Sequence, residues 1–391
     1  MKTLKISISL LLLILSCTTS CKKEADPIPN TYNYSVPGVF DDGLETASLE
    51  SVGLDSIPIK QMMNFINATS GHTIHNILII KDNKLVFEEY FEGYKLLWSA
   101  ADMNGELIDY TKDTDHFMAS VSKSVTSVVV GIAVKEGLIS NVNNKIIDYF
   151  PEYADILTGE KANITIQHLL TMSCGLELDE STYSYNDSRN ELRQVITMDE
   201  PIAHILSKPL QSTPGTHFSY SSGTGIVLSA IIEKVTEMKF LDYANSRLFD
   251  PLRSAGGVWT SIHNGLTFAS GGLYFKPREL SKIGLLFLNN GIWEGKEIIT
   301  PDWIEQSHDG HISTNNAFFQ NSSYGYQWWN TEFTVNGVSH KCSFAAGWGD
   351  QFMFIIPGLD MIIEFNSGNF TGTSRISPFT LLDNYILEAV K

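Results

Sequence analysis

Ser120 and Lys123, three residues apart, are the side chains in this sequence whose types and spacing most directly suggest chemistry. A serine hydroxyl is a weak nucleophile until a base removes its proton. A lysine amine is such a base only when uncharged, and apolar surroundings favour the uncharged form. Residues at i and i+3 share a helix face, so the amine can lie beside the hydroxyl. The exposed N–H groups of a helix start also suit a developing oxyanion. The pair reads as a nucleophile with its base. The same Ser-x-x-Lys spacing recurs at Ser20 and Lys23, so the pattern needs support from the rest of the chain.

The element that must hold the pair is the stretch Phe117 to Gly137. Val121, Val125, Val128, Val129, Ile132 and Ala133 repeat at helical spacing, which predicts a helix packed into a core. Gly137 is a natural stop. Valines are mediocre helix formers, so burial is expected to hold this helix. A second candidate, Tyr220, stands on a predicted loop after the turn Pro214-Gly215 and before a helix over Gly225 to Thr236. Beside a lysine ammonium its phenolate form is favoured, so it can relay protons. Tyr243, within the similar triplet Tyr243-Ala-Asn245, lies in an amphipathic stretch and reads as packing.

The chain of 391 residues is 43% hydrophobic and 18% charged, an ordinary globular composition. Its net charge of −17 argues against a nucleic-acid partner. Met1 to Cys21 reads as a targeting leader: Lys2 and Lys5, then an apolar run Ile6 to Leu15 too short to span a membrane, then small residues and cysteine. It resembles a lipoprotein leader, with Cys17 or Cys21 as the lipidated residue. That resemblance implies anchorage at the cell envelope through lipid, or secretion if the leader is cleaved without lipidation. Residues 22–45 read as a flexible tether and 46–391 as the folded body. Cys174 and Cys342 are left as free thiols or one disulfide. His72/His75 and His308/His311 lack a third ligand pattern, so no metal or cofactor is expected.

Apolar runs at Asn76–Ile80 and Leu85–Phe91 flank the turn Lys81–Lys84 and predict a hairpin. Helical stretches are expected at Pro58–Asn67, Ile166–Met172, Pro201–Leu206, Phe240–Leu248 and Arg278–Asn289. Strands return at Phe333–Val335 and Val338–Ala345 around Asn336-Gly337, then at Gln351–Ile356 and Met361–Phe365, and Ser377–Lys391 closes as a helix. The expected fold is α/β of the α+β kind. An antiparallel sheet from the two terminal segments is flanked by helices, with a mainly helical insert over about 140–330. A cleft is expected between sheet and insert.

Ser120-Val-Ser-Lys123, followed by Tyr220-Ser-Ser222 after Pro-Gly-Thr, resembles the serine β-lactamase and penicillin-binding protein superfamily, in the branch of class C β-lactamases, D-alanyl-D-alanine carboxypeptidases and related esterases. Stretches around His168, Ser270–Leu280, Tyr324–Trp329 and Gly347–Gln351 agree with it, so the resemblance spans roughly residues 50 to 390. It implies an acyl-enzyme on Ser120, proton removal by Lys123, and leaving-group protonation and water activation by Tyr220. It further implies an oxyanion hole from the backbone N–H groups of Ser120 and Trp348, with Ser222 where asparagine is common. The third motif departs: Ala345-Ala346-Gly347 stands where Lys-Thr-Gly or His-x-Gly is expected, so Gly347 remains and the cation is gone. The implied function is a serine hydrolase acting on a small-molecule or peptide ester or amide without a recognised carboxylate. The alternatives are a surface-tethered binding protein retaining the cleft and a class C-like β-lactamase. Oligomeric state is left open.

Overall fold

The computed structural model describes residues 31–180 and 182–391. The leader, with Cys17 and Cys21, lies outside the described residues. Among the described residues the main sheet has nine strands. Their order is Glu45–Thr46, Lys84–Tyr90, Ile74–Lys81, Met361–Ser367, Gln351–Ile356, Val338–Gly347, Trp329–Val335, Ser323–Tyr324 and Ile312–Ser313. The first and last parts of the chain meet at its centre, where Ile74–Lys81 pairs antiparallel with Met361–Ser367. The sheet is mixed rather than wholly antiparallel, because the short edge segment Glu45–Thr46 runs parallel to Lys84–Leu85.

Both faces of this sheet are covered. Leu78 and Ile80 point into one core, Ile77 and Ile79 into the other. That explains why the strand reads as an unbroken apolar run. The hairpin turns fall where the sequence predicts them. Asp82 and Asn83 have φ of 51° and 61°, and Asn336 and Gly337 have 51° and 78°, the left-handed pairs that match strand twist.

The central helix is Val121–Lys135, buried at every position from Val121 to Ala133. It packs against the helix Ser222–Thr236 and the strand Val338–Gly347. It begins later than the expected Phe117. Ala119, at φ 46°, breaks the helical path, and His116–Phe117 is instead a strand paired with Tyr274–Phe275. Val258–Trp259 completes this small sheet, so the middle of the chain is less uniformly helical than its apolar spacing suggests. The helix Pro277–Leu288 packs on the main sheet, chiefly against Met361–Ser367.

Residues 31–45, expected within a flexible tether, lie against the body. Asn64 Oδ1 accepts from Thr31 N at 3.1 Å and Tyr32 N at 3.0 Å, Tyr34 Oη donates to Val86 O at 2.8 Å, and Arg278 donates to Gly38 O at 3.0 Å. The two tyrosines supply apolar area that a Pro/Asn-rich composition hides. Tyr243 is buried and donates to Glu136 at 2.9 Å, a packing role. Cys174 and Cys342 are separate buried thiols. Among the described residues no group of three or more His, Cys, Asp or Glu could hold a metal, and no helix is long and apolar enough to cross a membrane.

Candidate active site

Ser120 sits just before the first residue of the central helix, after the turn that Ala119 makes. Its hydroxyl does not cap the helix, which leaves Oγ available. Lys123, one turn further on, is 1% exposed. Its Nζ donates to Ser120 Oγ at 2.9 Å, to Ser222 Oγ at 2.9 Å and to the Ser270 carbonyl at 2.8 Å. Burial pulls the amine down to about 8 from its ordinary value, while the charge of Glu180 pulls the other way. Neutral Lys123 is therefore far more accessible near neutral pH than the amine of an exposed lysine.

Tyr220 joins this pair. Lys123 Nζ lies 4.9 Å from the centre of its ring, and its hydroxyl shares a hydrogen bond with Ser120. The ring stacks on Trp329 at 5.7 Å. The expected phenolate is not favoured here: burial first, and then the charge of Glu180, push the phenol upward, outweighing the Ser120 hydrogen bond. The ammonium faces the ring rather than pairing with the phenol oxygen, so Tyr220 rests as a neutral proton donor.

Ser222 is the first residue of its helix, behind Ser221, whose Oγ accepts from Gly223 N at 3.0 Å. Gly347 ends its strand against the turn before Ser120. A Cβ there would stand 2.5 Å from the Met118 carbonyl and 3.2 Å from Ala119 Cβ. Trp348 follows in a tight turn held by Gln351, whose Nε2 donates to the carbonyls of Gly349 at 2.9 Å and Ser367 at 2.6 Å. The Trp348 ring is boxed by Trp98, Tyr185 and Phe370 at 5.4, 5.3 and 5.0 Å. The structure thus gathers Ser120, Tyr220, Gly347 and Trp348 on one cavity of about 420 Å³, with Lys123 and Ser222 buried beneath. Ala345 is fully buried and does not line it.

Two groups at the site were given no role by the sequence, although Ser270 lies in a stretch that resembles the family. One is the Ser270 carbonyl. The other is Glu180, whose carboxylate accepts from Ser222 N at 2.9 Å and Ser222 Oγ at 3.2 Å. Both come from stretches distant in sequence, and only the tertiary fold brings them to Lys123. A second cavity, of about 800 Å³, shares Tyr185, Tyr220, Phe318 and Trp348 with the first. Four carboxylates, Glu177, Asp179, Glu180 and Asp350, line the two, and no Lys, Arg or His does so among the described residues. Asp350 accepts from Asn369 Nδ2 at 2.6 Å, and burial pushes its carboxyl up.

A family profile described as Beta-lactamase matches residues 75–368. The chain is 26% identical over 269 residues to the 6-aminohexanoate-dimer hydrolase of Paenarthrobacter ureafaciens, covering 65% of this chain and 66% of that one. It is 27% identical over 244 residues to a Salmonella agona protein named provisionally as a D-alanyl-D-alanine carboxypeptidase, covering 61% and 55%. The chain therefore spans between about half and two thirds of the length of these curated relatives. Among solved structures, a family VIII carboxylesterase superposes with a TM-score of 0.61 at 14% identity, covering 84% of this chain and 96% of that one. That likeness is one of fold.

Proposed function

The chain belongs to the beta-lactamase family, a fold of serine hydrolases with amide- and ester-hydrolysing relatives, and from that premise we propose that it cleaves an ester or amide through an acyl-enzyme on Ser120. The observation that carries this reading is the hydrogen bond of 2.9 Å between Ser120 Oγ and a buried lysine whose amine is held down to about 8.

Neutral Lys123 takes the Ser120 proton as Oγ attacks the substrate carbonyl carbon. The oxyanion is met by the N–H groups of Ser120 and Trp348, each such donor typically stabilising the transition state by about 3–4 kcal/mol. Tyr220 gives its proton to the departing oxygen or nitrogen, and the C–O or C–N bond breaks. The resulting phenolate, faced by the Lys123 ammonium, takes a proton from water, and the hydroxide attacks the acyl carbon. When that intermediate collapses, Ser120 recovers its proton from Lys123. The net reaction adds one water and restores every group.

The absence of a cation at 345 and the carboxylates around the cleft support substrates that are neutral or positively charged where they enter. The aromatic box at Trp348 supports an apolar or aromatic portion. Neutral p-nitrophenyl esters are therefore expected to be turned over faster than a nitrocefin-type β-lactam. A substrate carrying a free carboxylate near the scissile bond should lose about tenfold in kcat/KM against its methyl ester, about 1.4 kcal/mol of unfavourable interaction. Rapid Ser120-dependent β-lactam turnover exceeding esterolysis would overturn this assignment in favour of a β-lactamase. The missing cation favours a second reading, a surface-tethered protein that binds in the cleft without turnover. That reading requires saturable binding and no product release across the same substrates.

A further inference from the structure

We propose that Glu180 is a positioning residue that sets the charge state of Lys123 through Ser222, and so fixes the pH range over which Ser120 is activated. This rests on the reading of Ser120 as the nucleophile.

Glu180 is 8% exposed, and its carboxylate holds both the N–H and the Oγ of Ser222. The same Oγ accepts from Lys123 Nζ at 2.9 Å. A hydroxyl has one proton, and once that proton points at the carboxylate only lone pairs remain for the ammonium. The chain Lys123 to Ser222 to Glu180 is thereby oriented. One hydroxyl separates the two charges, so the carboxylate acts on the amine without forming the direct ion pair that would hold it protonated.

The electrostatics agree from both ends. Burial lowers Lys123 and Glu180 opposes it; burial raises Glu180 and Lys123 opposes that. The other groups that face Glu180 are Glu191, which pushes it further up, and the phenols of Tyr185, Tyr220 and Tyr324, which its charge pushes up. Lys123 is the cation in this set. The sign follows: without the Glu180 charge only burial acts on Lys123, its pKa falls, and Ser120 becomes reactive at lower pH.

The test is the rate of Ser120 labelling by an uncharged fluorophosphonate from pH 5 to 10, in the full chain and in Glu180→Gln and Glu180→Asp. Labelling reads activation of the nucleophile without needing the substrate. The acid-limb midpoint should fall by about two pH units in Glu180→Gln, the size of a charge interaction across one intervening group, roughly 6 Å, at an effective dielectric of about 20. It should stay within about 0.3 unit in Glu180→Asp, which keeps the charge. A uniform loss at every pH with an unmoved midpoint in Glu180→Gln would show a merely structural role and overturn the proposal. If that variant does not fold, Glu180→Ala decides, since it too removes the carboxylate charge and leaves Ser222 in place. Its midpoint must also fall, and an unmoved one overturns the proposal. Failure of the unsubstituted protein to label at all is a different result, and it refutes the nucleophile itself.

Discussion

Lys123→Met is expected to lower kcat for a neutral ester by about a thousandfold or more while leaving the protein folded. A positioned general base contributes about 10²–10⁴ in rate, and here the same amine also returns the proton to Ser120. Methionine fills the volume and removes the charge. The Ser270 carbonyl then loses its donor, at a cost of about 1–3 kcal/mol. Relief from holding an ammonium at 1% exposure works in the opposite direction. Glu180 loses its opposing charge and takes up a proton more readily. The pH profile carries the sharper signature. In the unsubstituted protein kcat/KM should climb through about pH 8 as Lys123 becomes neutral, because only that form can accept the Ser120 proton. The residual rate of the variant should lack this rise. Steady-state rates from pH 5 to 10 with a thermal melt alongside check both statements. A variant that keeps the inflection would assign the base to another group.

Gly347→Ala is the second large effect. The backbone at 347 is not in the left-handed region, so the cost is steric. The new methyl would stand 2.5 Å from the Met118 carbonyl, 3.1 Å from Gln351 Cβ and 3.2 Å from Ala119 Cβ. The first of these is backbone in the turn that presents Ser120, so it cannot swing aside like a side chain. The strand end must move away from that turn by part of an ångström, carrying the Trp348 N–H with it. Misplacing one oxyanion donor costs about 10²–10³ in kcat, and overpacking of this kind destabilises by about 1–3 kcal/mol. The expected pattern is a hundredfold or greater fall in kcat, a smaller change in KM and a melting point lower by several degrees. Unaltered kcat in a correctly folded variant would remove Trp348 from the oxyanion role.

These two residues also mark what the sequence could say. The valine stripe of the central helix exposed its burial, and the Asn336-Gly337 turn exposed the hairpin that ends at Gly347, because each rests on local periodicity or local backbone geometry. Ser120 and Lys123 share that legibility, being one helical turn apart. Tyr220 was legible as a residue through its place in a resembling motif, but its resting protonation was not. That depends on how deeply Trp329 and Phe318 bury it and on the charge of Glu180. Glu180 and the Ser270 carbonyl stayed hidden for the same reason: they reach Lys123 across 57 and 147 residues of chain, and no spacing rule encodes such contacts. The small sheet of His116–Phe117 with Leu273–Phe275 was missed because the apolar run after His116 fits a helix equally well until a distant strand pairs with it.

The most direct test of the nucleophile assignment is the mass of the protein after reaction with an uncharged fluorophosphonate, followed by peptide mapping. One adduct per chain is expected, carried by the peptide containing Ser120, absent in Ser120→Ala and formed slowly in Lys123→Met. A folded protein that gains no adduct, or gains it at a serine other than Ser120, would contradict the account.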